Sequence, residues 1–210
     1  MEPAVSLPTR RLVLGLLTAA PAFAAHAKPA SGEVLIAAAR RQIGVTIHLD
    51  QGYQRIAYPG GDVPISTGVC ADVVVRAVRT AWGLDLQRLV HEDMVRAFAV
   101  YPHRWGMRRP DPNIDHRRVP NLETYWTRQG ACLWRADPRR PSSGFPSNIA
   151  PGDFVTWRAF GGGGPHVAIV TTGGPSPRVI ENAGWGARED ALTGPMLNGS
   201  GGHYRWRPNV

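Results

Sequence analysis

The sequence predicts an α+β fold in which helices come first and an antiparallel sheet follows. Two observations predict it. Apolar residues recur at helical spacing over 70–82 and 86–100. After Pro151-Gly152-Asp153 they give way to short β-prone runs parted by Gly/Pro turns. Helices followed by consecutive strands, rather than the two in alternation, mark an α+β domain. A chain of 210 residues is sized for one domain. Gly (24) and Pro (19) are abundant but show no G-X-Y period, which excludes collagen.

Residues 1–27 read as an export signal. Arg10 and Arg11 precede the apolar run 12–20, and Ala22-Phe23-Ala24 and Ala25-His26-Ala27 supply small-residue cleavage patterns. The run is shorter than the roughly 20 residues of a membrane span. Thr9-Arg10-Arg11-Leu12-Val13-Leu14 also fits a twin-arginine signal, so a general secretory or a twin-arginine route is open. The expectation is a periplasmic or secreted mature domain, 28–210, with no stable membrane insertion.

The first helix of that domain starts after Ser31, a capping residue, carries Val34, Leu35 and Ala38 on its apolar face, and ends near Gly44. Residues 46–68 hold short β-prone pieces and the turn Pro59-Gly60-Gly61-Asp62. The strongest helix spans 70–82, with Gly83 as its stop. A further helix is expected over 86–100, then a long Pro-rich charged connection over 102–120, then a short helix over 122–129. Strands are expected at 154–157, 166–170, 178–181 and 204–206. No internal repeat is present.

Chemistry concentrates at Cys70, which follows Gly68-Val69 and opens the apolar helix. A thiol at a helix N-terminus lies in the positive end of the macrodipole, which favours its thiolate. His166 is the best-placed base, because it starts a β-prone strand directly after a glycine-rich run. A polar residue on the next strand, Glu181 or Asn182, can orient the imidazole and complete a Cys–His–polar set. Three readings of Cys70 are open from the residues alone: a nucleophile, a disulfide partner of Cys132, or a buried small apolar residue. Two cysteines are too few for a disulfide scaffold or a cysteine zinc ribbon.

The stretch Tyr58-Pro59-Gly60-Gly61-Asp62-Val63-Pro64, with Gly68-Val69-Cys70-Ala71-Asp72-Val73-Val74, resembles the nucleophile region of the NlpC-type, papain-like cell-wall cysteine peptidases. His166-Val167-Ala168-Ile169-Val170 is similar to their catalytic-histidine strand, and Pro151-Gly152-Asp153 to the turn before the preceding strand. More closely, the chain resembles an uncharacterised family of exported bacterial proteins within that superfamily. The resemblance rests on residues 68–74, on Val90-His91-Glu92-Asp93-Met94, on 113–122 and on Gly202-His203-Tyr204-Arg205. It implies a papain-like core and a thiol hydrolase that needs no cofactor or metal. Two departures stand out. Val69-Cys70-Ala71 replaces the common Asp-Cys-Ser, and Glu181 occupies the position where a His is usual.

Further roles follow as expectations. Tyr58 supplies a hydroxyl near the oxyanion, as the resemblance implies, or packs a turn. The Cys70 N–H, an orphan at the helix start, is the better oxyanion donor. Asp72 favours the helix dipole and is spaced to pair with Arg76. The basic run holding Arg104, Arg108, Arg109, Arg117 and Arg118 is either a rim for substrate carboxylates or a loop tied down by ion pairs with Asp111 and Asp115. Arg108, Arg109, Arg117 and Trp185 are the expected substrate contacts.

A net charge of +8 suits an anionic partner. Nucleic acid would account for the charge but not for the export signal, so peptidoglycan or its fragments is the expected partner of a monomeric enzyme that cuts an amide bond. The alternatives are a non-catalytic periplasmic module with Cys70 bonded to Cys132, and a thiol acyltransferase or lipid amidase.

Overall fold

The computed structural model describes residues 1, 30–137, 148–158, 164–193 and 201–209. Met1 aside, the expected export signal lies outside the described residues, as do Gly161-Gly162-Gly163 of the glycine run. The described chain is mixed α and β, with four helices and a six-stranded antiparallel sheet.

Helix α1 (Gly32–Arg40) follows Ser31, whose backbone is extended but whose side chain makes no capping bond. The helix stops before the expected Gly44, and a turn carries the chain to a short strand β1 (His48–Leu49). Strand β2 (Thr67–Gly68) pairs with it in parallel. Helix α2 (Cys70–Trp82) ends at Gly83, whose φ of +67° is the left-handed conformation that glycine adopts at least cost. Its Val73, Val74, Val75 and Val78 are all buried. Burying each such side chain contributes roughly 2 kcal/mol, which offsets the modest helix propensity of a β-branched run. Helix α3 (Leu86–Ala97) is capped by the Asp85 carboxylate, which accepts from the Gln87 N–H. Helix α4 (Val119–Arg128) starts earlier than expected, with Pro120 in its first turn, where its missing N–H costs nothing.

The sheet contains β3 (Cys132–Arg135), β4 (Phe154–Arg158), β5 (Pro165–Thr172), β6 (Arg178–Glu181), β7 (Arg188–Ala191) and β8 (Gly202–Tyr204), in the order β3-β8-β4-β5-β6-β7. Successive residues of β5 serve two cores. Val167 and Ile169 pack with the helices, while Ala168 and Val170 join Val155, Trp157, Val179 and Leu192. Helix α2 packs against both α1 and β5. Trp126 of α4 stacks on Phe154 at 4.5 Å and meets Tyr204 at 5.4 Å, which fixes that helix over the sheet.

Strands β3 and β7 escape the sequence reading. β7 reads Arg-Glu-Asp-Ala and owes its conformation to pairing with β6 rather than to propensity. The last strand ends at Tyr204. Trp206, expected within it, instead packs edge-on against Trp82 and Tyr125.

Candidate active site

Cys70 is the first residue of α2. The turn before it is tight. Gly68 has a φ of +157°, and a Cβ there would lie 3.1 Å from the Cβ and a carboxylate oxygen of Asp72. Val69 has no side-chain acceptor to cap the helix. Asp72, three residues on, accepts the Val69 N–H at 2.6 Å instead. Among the described residues the Cys70 N–H has no hydrogen-bond partner, as expected of the first amide of a helix. The thiol itself is nearly buried but reaches a cleft of about 820 Å³.

Asp72 would oppose a neighbouring thiolate if its charge stood alone. Arg117 cancels it. Its Nε and Nη2 donate to the two Asp72 oxygens, each at 2.9 Å, and both side chains are buried. Two further Arg117 donors go to the carbonyls of Gly52 and Asp50 at 3.0 Å, so one guanidinium ties loop 50–52 to the start of α2.

His166 lies near the start of β5 and Glu181 at the end of β6, its antiparallel neighbour, so both stand at one end of the sheet. His166 Nε2 meets a Glu181 carboxylate oxygen, and neither atom has another partner among the described residues. Cys70 is the other group that acts on the ring; with Nε2 on Glu181, Nδ1 is the nitrogen left for sulfur. Trp157, cross-strand from His166, holds the ring at a centroid distance of 4.6 Å. Burial works against a charged imidazole. Cys70 and then Glu181 outweigh it and push the His166 pKa up to about 10. At neutral pH the ring is an imidazolium flanked by sulfur and carboxylate.

A family model described as a domain of unknown function, DUF1287, matches residues 36–206. The chain belongs to the DUF1287 family. It is similar to the uncharacterized protein YijF of Escherichia coli (strain K12), with 48% identity over 172 residues, 80% of this chain and 78% of that one. No solved structure matches the chain.

In this DUF1287 domain the other residues singled out from the sequence fall in different places. Asn182 is buried but turned away from the imidazole. Its amide donates to the Gly68 carbonyl at 2.9 Å and its oxygen accepts the Gly184 N–H at 3.1 Å. It braces the turn before Cys70, and the residue on the imidazole is Glu181. Cys70 and Cys132 are both free thiols, so no disulfide joins them.

Several expectations are corrected. Asp72 does not pair with Arg76, because Arg76 is drawn to Asp62 at 2.8 and 2.9 Å while Asp72 is taken by Arg117. Arg117 lines the cleft, but its charge is spent on Asp72. Arg108 and Arg109 are exposed and do not line the cleft.

Tyr58 is also outside the cleft. The Gly60 and Gly61 N–H groups bond Asp85 and Gln87, pinning its turn to the α2–α3 corner. That corner lies at the far end of a helix about 20 Å long, counted from Cys70, and the Tyr58 ring packs edge-on against His91. Trp185 is 80% exposed and is not a lining residue. The adjacent Gly186 backs onto the Thr46–Ile47 backbone, closely enough to exclude a Cβ.

The cleft is also lined by Arg158, which the sequence does not single out, by Trp105 and Trp157, two of the tryptophans expected in core or cleft wall, and by Arg118 of the basic run. Arg118 carried one legible signal. Pro120 marks the first turn of a helix, which puts Arg118 at its extended N-cap.

Proposed function

We propose that this chain is an exported thiol hydrolase on a papain-like core, cleaving an amide bond in peptidoglycan stem peptides through Cys70, His166 and Glu181. One observation carries the reading: a free cysteine at a helix N-terminus faces an imidazole whose other nitrogen meets a buried carboxylate, at the wall of a cleft. A cysteine at a helix start beside an imidazole suits a nucleophile with its proton-transfer partner.

The chemistry follows from these atoms. The Cys70 thiolate adds to the amide carbonyl carbon, and the C=O π pair moves onto oxygen. The Cys70 N–H donates to that oxyanion. The His166 imidazolium gives its Nδ1 proton to the leaving nitrogen as the C–N bond breaks, leaving a thioester. Water, deprotonated by the now neutral His166, attacks the thioester, releases a carboxylic acid and restores the thiolate. Glu181 holds the ring and stabilises its charge throughout.

The arginine-walled cleft, the net positive charge and the leader motif of residues 10–27 support an acidic wall peptide as substrate and a periplasmic or secreted location. A binding module locked by a Cys70–Cys132 bond lacks support, because both thiols are free.

The test is incubation of the purified protein with muropeptides, followed by mass analysis of the products. Wild type is expected to give two products whose masses together equal the muropeptide plus one water, and Cys70→Ser none. Equal cleavage by Cys70→Ser would remove the mechanism, and an unaltered muropeptide in both would remove the substrate.

A further inference from the structure

Three arginines line the cleft, and two of them are neutralised. Arg117 is closed by Asp72, and Arg158 by both oxygens of Glu123 at 2.8 and 3.0 Å. Arg118 has no hydrogen bond or ion pair on its guanidinium among the described residues. The acids whose charge it feels, Asp115 and Asp111, make no ion pair with it, and Asp115 Oδ1 is buried with no hydrogen-bond partner among the described residues. Asp115 Oδ2 takes His91 and the Asp111 N–H, while Asp111 takes Asn113 and the Tyr53 hydroxyl. Glu2, in the expected leader, is the one acidic side chain of the sequence outside the described residues.

An unpaired, half-buried cation is costly unless something completes it. Its surroundings hold it ready. The Arg118 guanidinium lies over the Trp105 ring at 4.7 Å, and Trp105 takes a left-handed φ of +57°, a strained backbone for so large a residue. The Trp105 ring covers one side of the guanidinium, and its donors make no hydrogen bond among the described residues. That is the geometry for forked recognition of a carboxylate. Arg118 also follows Arg117 directly, so the Asp72 anchor fixes it to the same element that presents Cys70.

We propose that Arg118, stacked on Trp105, is the subsite that receives a substrate carboxylate, so that the amides taken by this cleft carry a free carboxyl group. This rests on the hydrolase reading for the cut, but the binding step does not need it. Both a C-terminal carboxyl and an acidic side chain of the peptide fit the chemistry.

The experiment uses the Cys70→Ala protein, which binds without turnover, and calorimetry with three probes. These are a disaccharide-tripeptide muropeptide with free carboxyls, the same with only its C-terminal carboxyl as carboxamide, and the same with only its side-chain carboxyls as carboxamides. One of the two carboxamides is expected to bind at least about tenfold more weakly, the scale of a lost charge-assisted bond, and it identifies which carboxyl is read. Adding Arg118→Gln brings the free acid down to the carboxamide's affinity, while Arg118→Lys retains part of the preference. Equal binding of all three probes, no binding of any, or uniform weakening by Arg118→Gln would overturn the proposal. The first of these needs no further variant to fold. Discrimination without cleavage by wild type would sink the hydrolase reading and leave this subsite standing. Cleavage without discrimination would do the reverse.

Discussion

The Arg117 guanidinium forks onto the Asp72 carboxylate with two bonds of 2.9 Å, both side chains shut away from solvent, two residues on from Cys70. The pair links the third residue of α2 to the segment before α4, 45 positions apart. Removing one half leaves the other charged and alone. Arg117→Ala is expected to cost about 3–5 kcal/mol in urea unfolding, with Arg117→Lys intermediate because it lacks the fork. A loss below about 1 kcal/mol would mean that the pair behaves as a surface contact.

The pH profile follows from His166. A lone imidazole titrates near 6.5, and burial would lower that further, but Cys70 and Glu181 push it to about 10. The raised value means that the proton is held at neutral pH and lost as pH rises through about 10. The imidazolium must protonate the leaving nitrogen, so hydrolysis is expected to persist through neutral pH and decline near 10, with a midpoint that belongs to the coupled pair. Glu181→Gln removes one of the charges holding the proton and moves that limb down. A limb unmoved by Glu181→Gln would separate Glu181 from the imidazole.

Asn182 supplies the contrast. It bonds the Gly68 carbonyl and the Gly184 N–H rather than the ring. Asn182→Ala should cost about 1 kcal/mol per lost bond in stability and leave the alkaline limb in place. A downward shift of that limb would give Asn182 the orienting role that the geometry assigns to Glu181.

Parts of this arrangement were legible in the residues. The order Gly68-Val69-Cys70 before an apolar run marks a helix start, and the strands carrying His166 and Glu181 follow from β-branched runs between glycine turns. What they could not show was pairing across long separations. Asp72 has Arg76 at helical spacing, yet Arg117 reaches it from the far side of α3, and Asp62 holds Arg76. Composition also overstated the rim, because Arg108 and Arg109 look identical in sequence to Arg118. Only its place in the cleft, over the Trp105 ring, separates it from them. Trp185 misled for a similar reason: large aromatics are usually walls, and this one is exposed.

Acid should loosen the end of the sheet. Asp153 is fully buried, accepts from His203 at 2.7 Å and Arg205 at 2.9 Å, and lies 3.3 Å from Arg207. Burial alone would raise its pKa, but these partners hold it down to about 2. A depressed carboxylate contributes its stability above the unfolded value of about 3.9 and loses it as pH falls toward 2. Thermal unfolding between pH 4 and 2 should show that loss, and Asp153→Asn should flatten it. An equal acid dependence in Asp153→Asn would place the sensitive group elsewhere.

The proposed reaction depends most on a nucleophilic Cys70 sulfur assisted by the His166 imidazole. The direct measurement is alkylation by iodoacetamide at pH 6, with the modified cysteine mapped by peptide mass. Burial pushes the Cys132 thiol up, so Cys70 is expected to react first and much faster, and its rate to collapse in His166→Ala. Alkylation of Cys70 no faster than Cys132, or at an unchanged rate without His166, would contradict it.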